Sequence, residues 1–340
     1  MSLPMRRISQ YLLGALFLAF IIEVVLVSPS DLNEKPKAGQ DKEKSTDIVH
    51  NKNIDQQMDG VHVIETKNES KEWELWADRA IGFKKQGDLA LVKVKASFIG
   101  SDGITFLVTG NTGNVQTETK NMTVDGDVTT RSSNGYVFKT AKVRYDSRKR
   151  FLSSATPVTV SGPRDGLGGH MHLEGAEMSA NVDSGAIMIE HNVRAQKTVR
   201  INEDMAIQAE HAELSGHGRE VKFSGHVVID LNGIRVTGPD AIFRYDGKSD
   251  LPRSIELQGG VKMSDLHKWA TSDKLNIDLS KNEYVFDGAP RVVQDDDELR
   301  GDRIVFLDGG KRVQVQNATI KVSKESLNKQ GPSDKRANEK

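Results

Sequence analysis

Apolar and polar positions alternate with a period of two along most of this chain, and the alternation slips by one residue at regular intervals. Val236 to Phe243 shows the slip in its simplest form. Val236 and Gly238 are two apart, Ala241 and Phe243 are two apart, and an extra residue lies between the pairs. This frame recurs at Val108-Gly110-Gly113-Val115, Phe138-Thr140-Val143-Tyr145 and Leu173-Gly175-Met178-Ala180. Further copies are Ile207-Ala209-Ala212-Leu214, Ala270-Ser272-Leu275-Ile277 and Leu299-Gly301-Ile304-Phe306, with a weaker one at Leu75-Ala77-Ala80. The small residues fall at 77, 110, 140, 175, 209, 238, 272 and 301, giving gaps of 33, 30, 35, 34, 29, 34 and 29. Such a period marks a repeat architecture.

Residues two apart share one face of a strand. A one-residue slip in a flat strand would turn the following apolar residues to the opposite face. A bulge or bend at the small residue absorbs the slip, so each copy reads as a strand that rounds a corner with its apolar face still inward. A second signature, apolar-x-Gly-x-apolar, follows many of the corners: Val124-Asp-Gly126-Asp-Val128, Phe223-Ser-Gly225-His-Val227 and Leu257-Gln-Gly259-Gly-Val261. Turn pairs such as Asp102-Gly103, Asn134-Gly135, Asn232-Gly233 and Asp308-Gly309 punctuate the rest. No helical periodicity appears between residues 60 and 322. The expectation is an all-β body of two facing antiparallel sheets, with about two strands and a corner in each repeat. Gly110, Gly126, Gly175, Gly225, Gly238 and Gly301 are its candidate structural corners, and Gly238 is expected to need unusual φ/ψ or close packing.

The N-terminus has a different pattern. Arg6 and Arg7 precede a run from Tyr11 to Val27 that is apolar except for Gly14 and Glu23. Counted from Ile8 to Val27 it is 20 residues, about 30 Å of helix at roughly 1.5 Å per residue, enough to cross a bilayer core. Val25-Leu26-Val27 stands where a signal peptide would carry a small-residue cleavage site, which favours a retained anchor at residues 1–27. The basic flank places the N-terminus in the cytoplasm and the bulk of the chain across the membrane. Glu23 either snorkels to the interface or contacts a membrane partner. Residues 28–59 are charged, rich in turn residues and aperiodic, and read as a flexible linker; residues 323–340 read as a disordered tail.

Bulk composition narrows the function. The formal net charge of -1 argues against nucleic acid. The absence of cysteine excludes disulfides, thiol catalysis and cysteine metal sites. Histidines offer candidate ligands at His170 and His172, then His191, His211, His217 and His226, but their spacing defines no metal set. Asp295 to Glu298 lacks EF-hand spacing and reads as a solvated turn. No hydrolase, Walker or dinucleotide motif stands in a workable context. Arg148-Lys149-Arg150 reads as a solvated cluster, with a lipid phosphate at a groove rim as the alternative.

Several stretches carry a resemblance. Trp73-Glu-Leu-Trp-Ala-Asp-Arg-Ala80, Met122 to Val128, Gly135 to Asp146 and the run Phe151 to Val160 resemble the LptC family of lipopolysaccharide-export proteins. Phe223 to Ile229, Trp269 to Leu275, Tyr284 to Gly288 and Leu299 to Ile304 are similar to the LptA (OstA) family of the same pathway. The resemblance implies an LptC-like β-jellyroll at 60–195, followed by an LptA/OstA-like one at 196–322, tandem or continuous. It further implies a non-enzymatic periplasmic protein without cofactor, anchored in the inner membrane. Its partners would be an inner-membrane ABC transporter, lipopolysaccharide, and other jellyrolls stacked edge to edge. Leu75, Phe138, Leu173, Ile207, Val227, Val236, Phe243 and Phe306 are the candidate groove-lining residues. The alternative is a non-catalytic β-repeat spacer with a filled core. A glycan-active enzyme lacks paired carboxylates at recurrent positions.

Overall fold

The computed structural model of the chain describes residues 54–67, 69–83, 87–167, 169–200, 203–215, 219–246 and 251–321. The expected anchor with Glu23, most of the expected linker, His217 and the expected tail lie outside the described residues. No helix among the described residues is long and apolar enough to cross a membrane.

The body is entirely antiparallel β-structure, apart from one short 3-10 turn at Asp308–Gly310. Six long strands open it: β1 (Ile54–Lys67), β2 (Ser70–Phe83), β3 (Asp88–Ile99), β4 (Thr105–Gln116), β5 (Met122–Ser132) and β6 (Val137–Asp146). Four short ones follow: β7 (Phe151–Ser154), β8 (Val158–Arg164), β9 (His170–Gly175) and β10 (Glu177–Asn181). A second long series comprises β11 (Ile187–Arg200), β12 (Glu203–Leu214), β13 (Glu220–Leu231), β14 (Ile234–Tyr245), β15 (Pro252–Ser264) and β16 (Lys268–Asp278). Short strands end the chain: β17 (Glu283–Asp287), β18 (Arg291–Gln294), β19 (Asp297–Arg300), β20 (Arg303–Leu307), β21 (Arg312–Gln316) and β22 (Thr319–Lys321). The first strand thus starts at Ile54, ahead of the alternation that begins at Val61.

Sequential long strands pair up and down, and the short ones act as broken long strands. One half of β6 pairs with β7 and the other with β8. In turn, β11 pairs with both β9 and β10, and β16 with both β17 and β18. Because β11 also pairs with β12, the hydrogen-bonded ladder continues without interruption through residues 195 and 196.

The rungs fall into two layers, with the two halves of a rung joining different ones. The first layer holds the half of each rung containing Leu75, Phe138 or Ile207; the second holds the half containing Tyr145, Phe243 or Phe306. Contacts between strands that are not ladder neighbours show the layers facing each other. The Phe98 and Tyr145 rings lie 4.2 Å apart, and the Tyr245 hydroxyl donates to Met171 Sδ at 3.7 Å. Lys268 Nζ stands 5.8 Å from the Phe306 ring.

All eight small residues of the repeated frame lie at bends on alternate rungs, and burial follows the slip. On β12 the buried residues are Met205, Ile207 and Ala209, then Ala212 and Leu214. Most intervening rungs round the corner differently, although β3, with Leu91 then Val94, Ala96 and Phe98 buried, slips as the frame rungs do. On β13 the buried Val221, Phe223, Val227, Ile229 and Leu231 keep one parity throughout. The reason is a bulge: Phe223 and Ile229 pair with Ala241 and Val236, so β13 uses one residue more than β14 over the same span. The left-handed backbone falls on these bulges, at Gly126 (φ 81°), Gly225 (φ 80°) and Gly259 (φ 88°). This corrects the expectation that the frame's own small residue carries the extra residue.

Those small residues are small because the neighbouring strand crosses close to them. A Cβ on Gly110 would lie 2.5 Å from Val124 Cγ1, and one on Gly175 would lie 2.3 Å from Ile189 Cγ2. At Gly301 it would meet both Val315 Cγ1 and the Gln316 carbonyl at 2.6 Å. Gly238 is the exception, with its nearest neighbour, Leu257 Cδ2, at 3.3 Å and no left-handed φ. The bend there requires neither unusual dihedrals nor severe crowding.

Candidate functional site

The pairing registers align the inward side chains into cross-strand rows. In the first layer one row runs Val63, Leu75, Ala96, Val108, Thr130, Phe138, Val160, Leu173 and Ala195. It continues without a break through Ile207, Ile229, Val236, Met263, Ala270, Val292, Leu299 and Ile320. The row therefore reaches from the first strand to the last, and Thr130 is its sole polar member. Leu75, Phe138, Leu173, Ile207 and Val236, named from the sequence as lining candidates, all stand in it.

The second layer carries a matching row. Leu89, Val115, Met122, Tyr145, Leu152, Ala180, Ile187 and Leu214 succeed one another across β3 to β12. Val221, Phe243, Ile255, Ile277, Tyr284, Phe306 and Val313 complete it. Phe243 and Phe306 thus face the first row from the other wall. Val227 lies beside the β13 bulge, opposite Gly238. Edge-to-face ring contacts, Phe223 on Phe243 and Phe286 on Phe306, fix the aromatic members within this wall.

The interior is closed to water along most of its length, with Phe138 at 1% and Phe243 at 0% exposure. At the C-terminal end it opens, and the last members of the two rows, Ile320 and Val313, are 64% and 45% exposed. Ile64 and Met58 are exposed on β1, which pairs with β2 alone among the described strands.

Two charged devices interrupt the apolar interior. Arg150 ties the ends of the two layers together, with Nε bonded to Asp183, Nη1 3.2 Å from Glu72 and Nη2 donating to the Ile99 carbonyl. The sequence reading placed Arg150 in a solvated cluster; the structure closes it inside a seam, because its partners come from turns and strands distant in the chain. Arg148 and Lys149 beside it are exposed. The second device is the buried pair of Lys197 and Asp165. Burial alone would push the Asp165 carboxyl up, but Lys197 and the amides of Leu167 and Gly169 hold it below the usual carboxylate range. Sequence reasoning missed this pair. The available signal was Lys197 itself, which occupies an inward slot in the alternation Val193, Ala195, Lys197, Val199.

The remaining candidates sit outside. His172 meets Glu174 at 3.2 Å on the outer face, and His226 is exposed at a bulge. His191 and His211 have ring centroids 5.9 Å apart, and Glu177 and Glu190 lie near His191. Glu298 is bound by Arg291 and Arg300, and Asp295 occupies the β18–β19 turn. A cleft of about 510 Å³ is lined by His170, His172, Gln196, Asp204 and Asp230 together with the buried Lys197, Met205 and Leu231.

The family described as "Lipopolysaccharide-assembly, LptC-related" matches residues 18–199. The family described as "LptA/(LptD N-terminal domain) LPS transport protein" matches residues 206–320. The two matches divide between β11 and β12. No curated protein matches the chain. Among solved structures, the chain is similar to LptH, "the LptA homologous periplasmic component of the conserved lipopolysaccharide transport device from Pseudomonas aeruginosa". That match has 16% identity and a TM-score of 0.32, and covers 35% of this chain and 94% of that one. The chain belongs to the LptC-related family of lipopolysaccharide assembly, with a segment of the LptA/LptD N-terminal family joined behind it.

Proposed function

We propose that this chain is a membrane-anchored, non-enzymatic conduit that carries lipopolysaccharide acyl chains between its two layers, from an inner-membrane ABC transporter toward the outer membrane. The observation that carries this reading is the pair of inward rows, which cross from the LptC-related segment into the LptA-type segment through Ala195–Ile207 and Ile187–Leu214, with the neutralised Lys197–Asp165 pair beside the first of them at the junction. Each methylene moved from water into such a channel contributes about 0.8 kcal/mol, so a run of modest aliphatic contacts holds a lipid without one deep pocket and still releases it. Because the interior is closed, acyl chains enter by parting the layers. The exposed ends of the two rows, at Val313 and Ile320, suit continuation of the channel into a further jellyroll by strand pairing. The covalent junction at β11 replaces a bimolecular joint between the two family segments.

The closed interior also favours a second reading, a spacer whose core is filled by its own side chains. Mass spectrometry of the full chain, purified from its membrane in mild detergent, separates the two. Co-purifying lipopolysaccharide is the expected result. A lipid-free protein that stays lipid-free when incubated with lipopolysaccharide supports the spacer.

A further inference from the structure

Most of the side-chain polar atoms buried without a hydrogen bond among the described residues lie in the LptC-related segment. Trp73 Nε1, Thr130 Oγ1, Ser132 Oγ and Tyr145 Oη are all buried without a hydrogen-bond partner among the described residues. Their residues are 2%, 1%, 6% and 3% exposed. A buried polar group without a partner costs about 1–3 kcal/mol, and an apolar side chain of the same shape would avoid that.

The four groups are arranged around one stretch of the interior. Trp73, Phe98, Phe106 and Ser132 form one cross-strand row over β2 to β5, about 14 Å long at roughly 4.8 Å per strand. Thr130 lies two residues from Ser132 on the same inward face. Tyr145 comes from the facing layer, its ring 4.2 Å from that of Phe98. Burial pushes the Tyr145 hydroxyl up to about 12, which keeps it a protonated donor. All four can donate, and the indole can do nothing else. The nearby guanidinium of Arg150 has Nε and Nη2 bonded to Asp183 and the Ile99 carbonyl, while Nη1, buried and without a hydrogen bond, is neutralised by the Glu72 carboxylate at 3.2 Å. Neutral donors spread along an apolar wall match neutral acceptors spread along a lipid.

Resting on the conduit reading, we propose that Trp73, Thr130, Ser132 and Tyr145 form a donor subsite for the ester and amide carbonyls that join acyl chains to the lipid's head group. The unpaired groups destabilise the empty fold, and the bound lipid satisfies them. The subsite places the acyl-linkage region of the cargo at β2 to β6 while the hydrocarbon follows the apolar rows.

The test uses the full chain in detergent and four variants that remove a donor with little change of shape: Trp73→Phe, Thr130→Val, Ser132→Ala and Tyr145→Phe. Binding of lipopolysaccharide and of a fluorescent alkane lacking any carbonyl is titrated, and thermal unfolding is recorded without lipid. Thr130→Val and Tyr145→Phe are expected to lose about three- to tenfold in lipopolysaccharide affinity. Their unfolding temperature should hold or rise, and alkane binding should not change. Lipopolysaccharide binding equal to wild type in all four variants overturns the subsite and leaves the conduit standing. Equal loss for both probes also overturns it, because that marks damage to the apolar wall. Failure of the wild-type chain to bind lipopolysaccharide removes the conduit reading and the subsite with it.

Discussion

Arg150 Nε donates to Asp183 Oδ1 at 2.8 Å, and the same carboxylate accepts from Ser101 Oγ at 2.9 Å across the facing layer. Burial alone would push Asp183 up, yet these two hydrogen bonds hold it below the usual carboxylate range. With Glu72 and the Ile99 carbonyl on its other nitrogens, Arg150 closes one side of the interior where β2 and β3 approach the β6–β7 and β10–β11 turns. A lipid entering there has to part this latch.

Replacing Arg150 therefore loosens the seam. Arg150→Met should lower stability by about 2–4 kcal/mol, because Glu72 and the Ile99 carbonyl lose a partly buried partner. Lys149→Met, one residue away and exposed, should stay within about 0.5 kcal/mol of wild type. Hydrogen exchange locates the effect: the Gly100 and Gly103 amides, bonded to Ile104 and Gly100 carbonyls, should exchange faster only in the Arg150 variant.

Glycines at the bends should respond in a definite order. Gly175→Ala drives a Cβ to 2.3 Å from Ile189, a β-branched neighbour that cannot swing away, and should cost about 1–3 kcal/mol. Gly225→Ala should cost a similar amount, from a positive φ and a 2.7 Å approach to Glu210 Cβ. Gly238→Ala should change stability by less than about 1 kcal/mol, since the Leu257 methyl can yield and alanine restricts the unfolded chain. Denaturant unfolding of the three variants reads the order. A Gly238 effect as large as that at Gly175 would contradict the account of the corners.

These glycines also show what the sequence made legible. The parity slip announced every bend on the frame rungs, and with it which of Phe138, Leu173, Ile207 and Val236 turn inward. The slip is local, and a strand's two faces are set by parity alone. The sequence did not reveal that neighbouring rungs round the corner with one more residue, because Gly225 and Gly238 look alike until their dihedrals and neighbours are known. It revealed still less of the closures. Arg150 meets residues 51 and 33 positions away, and nothing periodic links them. The row from Val63 to Ile320 needed the register of each pair, which no single strand encodes.

Acid should weaken the outer face of the second layer. Glu256 accepts from Lys274, Gln258 and Arg244, and Lys274 leads these partners in holding its carboxyl down at about 2 against an ordinary 4.5. A depressed folded-state pKa contributes stability that is complete above about 4.5 and is lost as pH falls through about 2. The contribution at this surface network is on the order of 1–2 kcal/mol. Glu256→Gln should lower stability at neutral pH and flatten the loss between pH 4.5 and 2. Parallel pH profiles for variant and wild type would show that Glu256 is not part of the acid response.

The central claim is that lipopolysaccharide travels between the two layers, and photo-crosslinking in cells tests it most directly. A photoreactive residue at Phe138 or Ile207 in the first wall, or at Phe243 in the second, faces the proposed path. Lys222 and Lys281, on exposed outer positions, do not. The account predicts lipopolysaccharide adducts at the three interior sites and none at the two lysines. Crosslinks confined to the protein itself at Phe138, Ile207 and Phe243 would contradict it and identify the interior as a filled core.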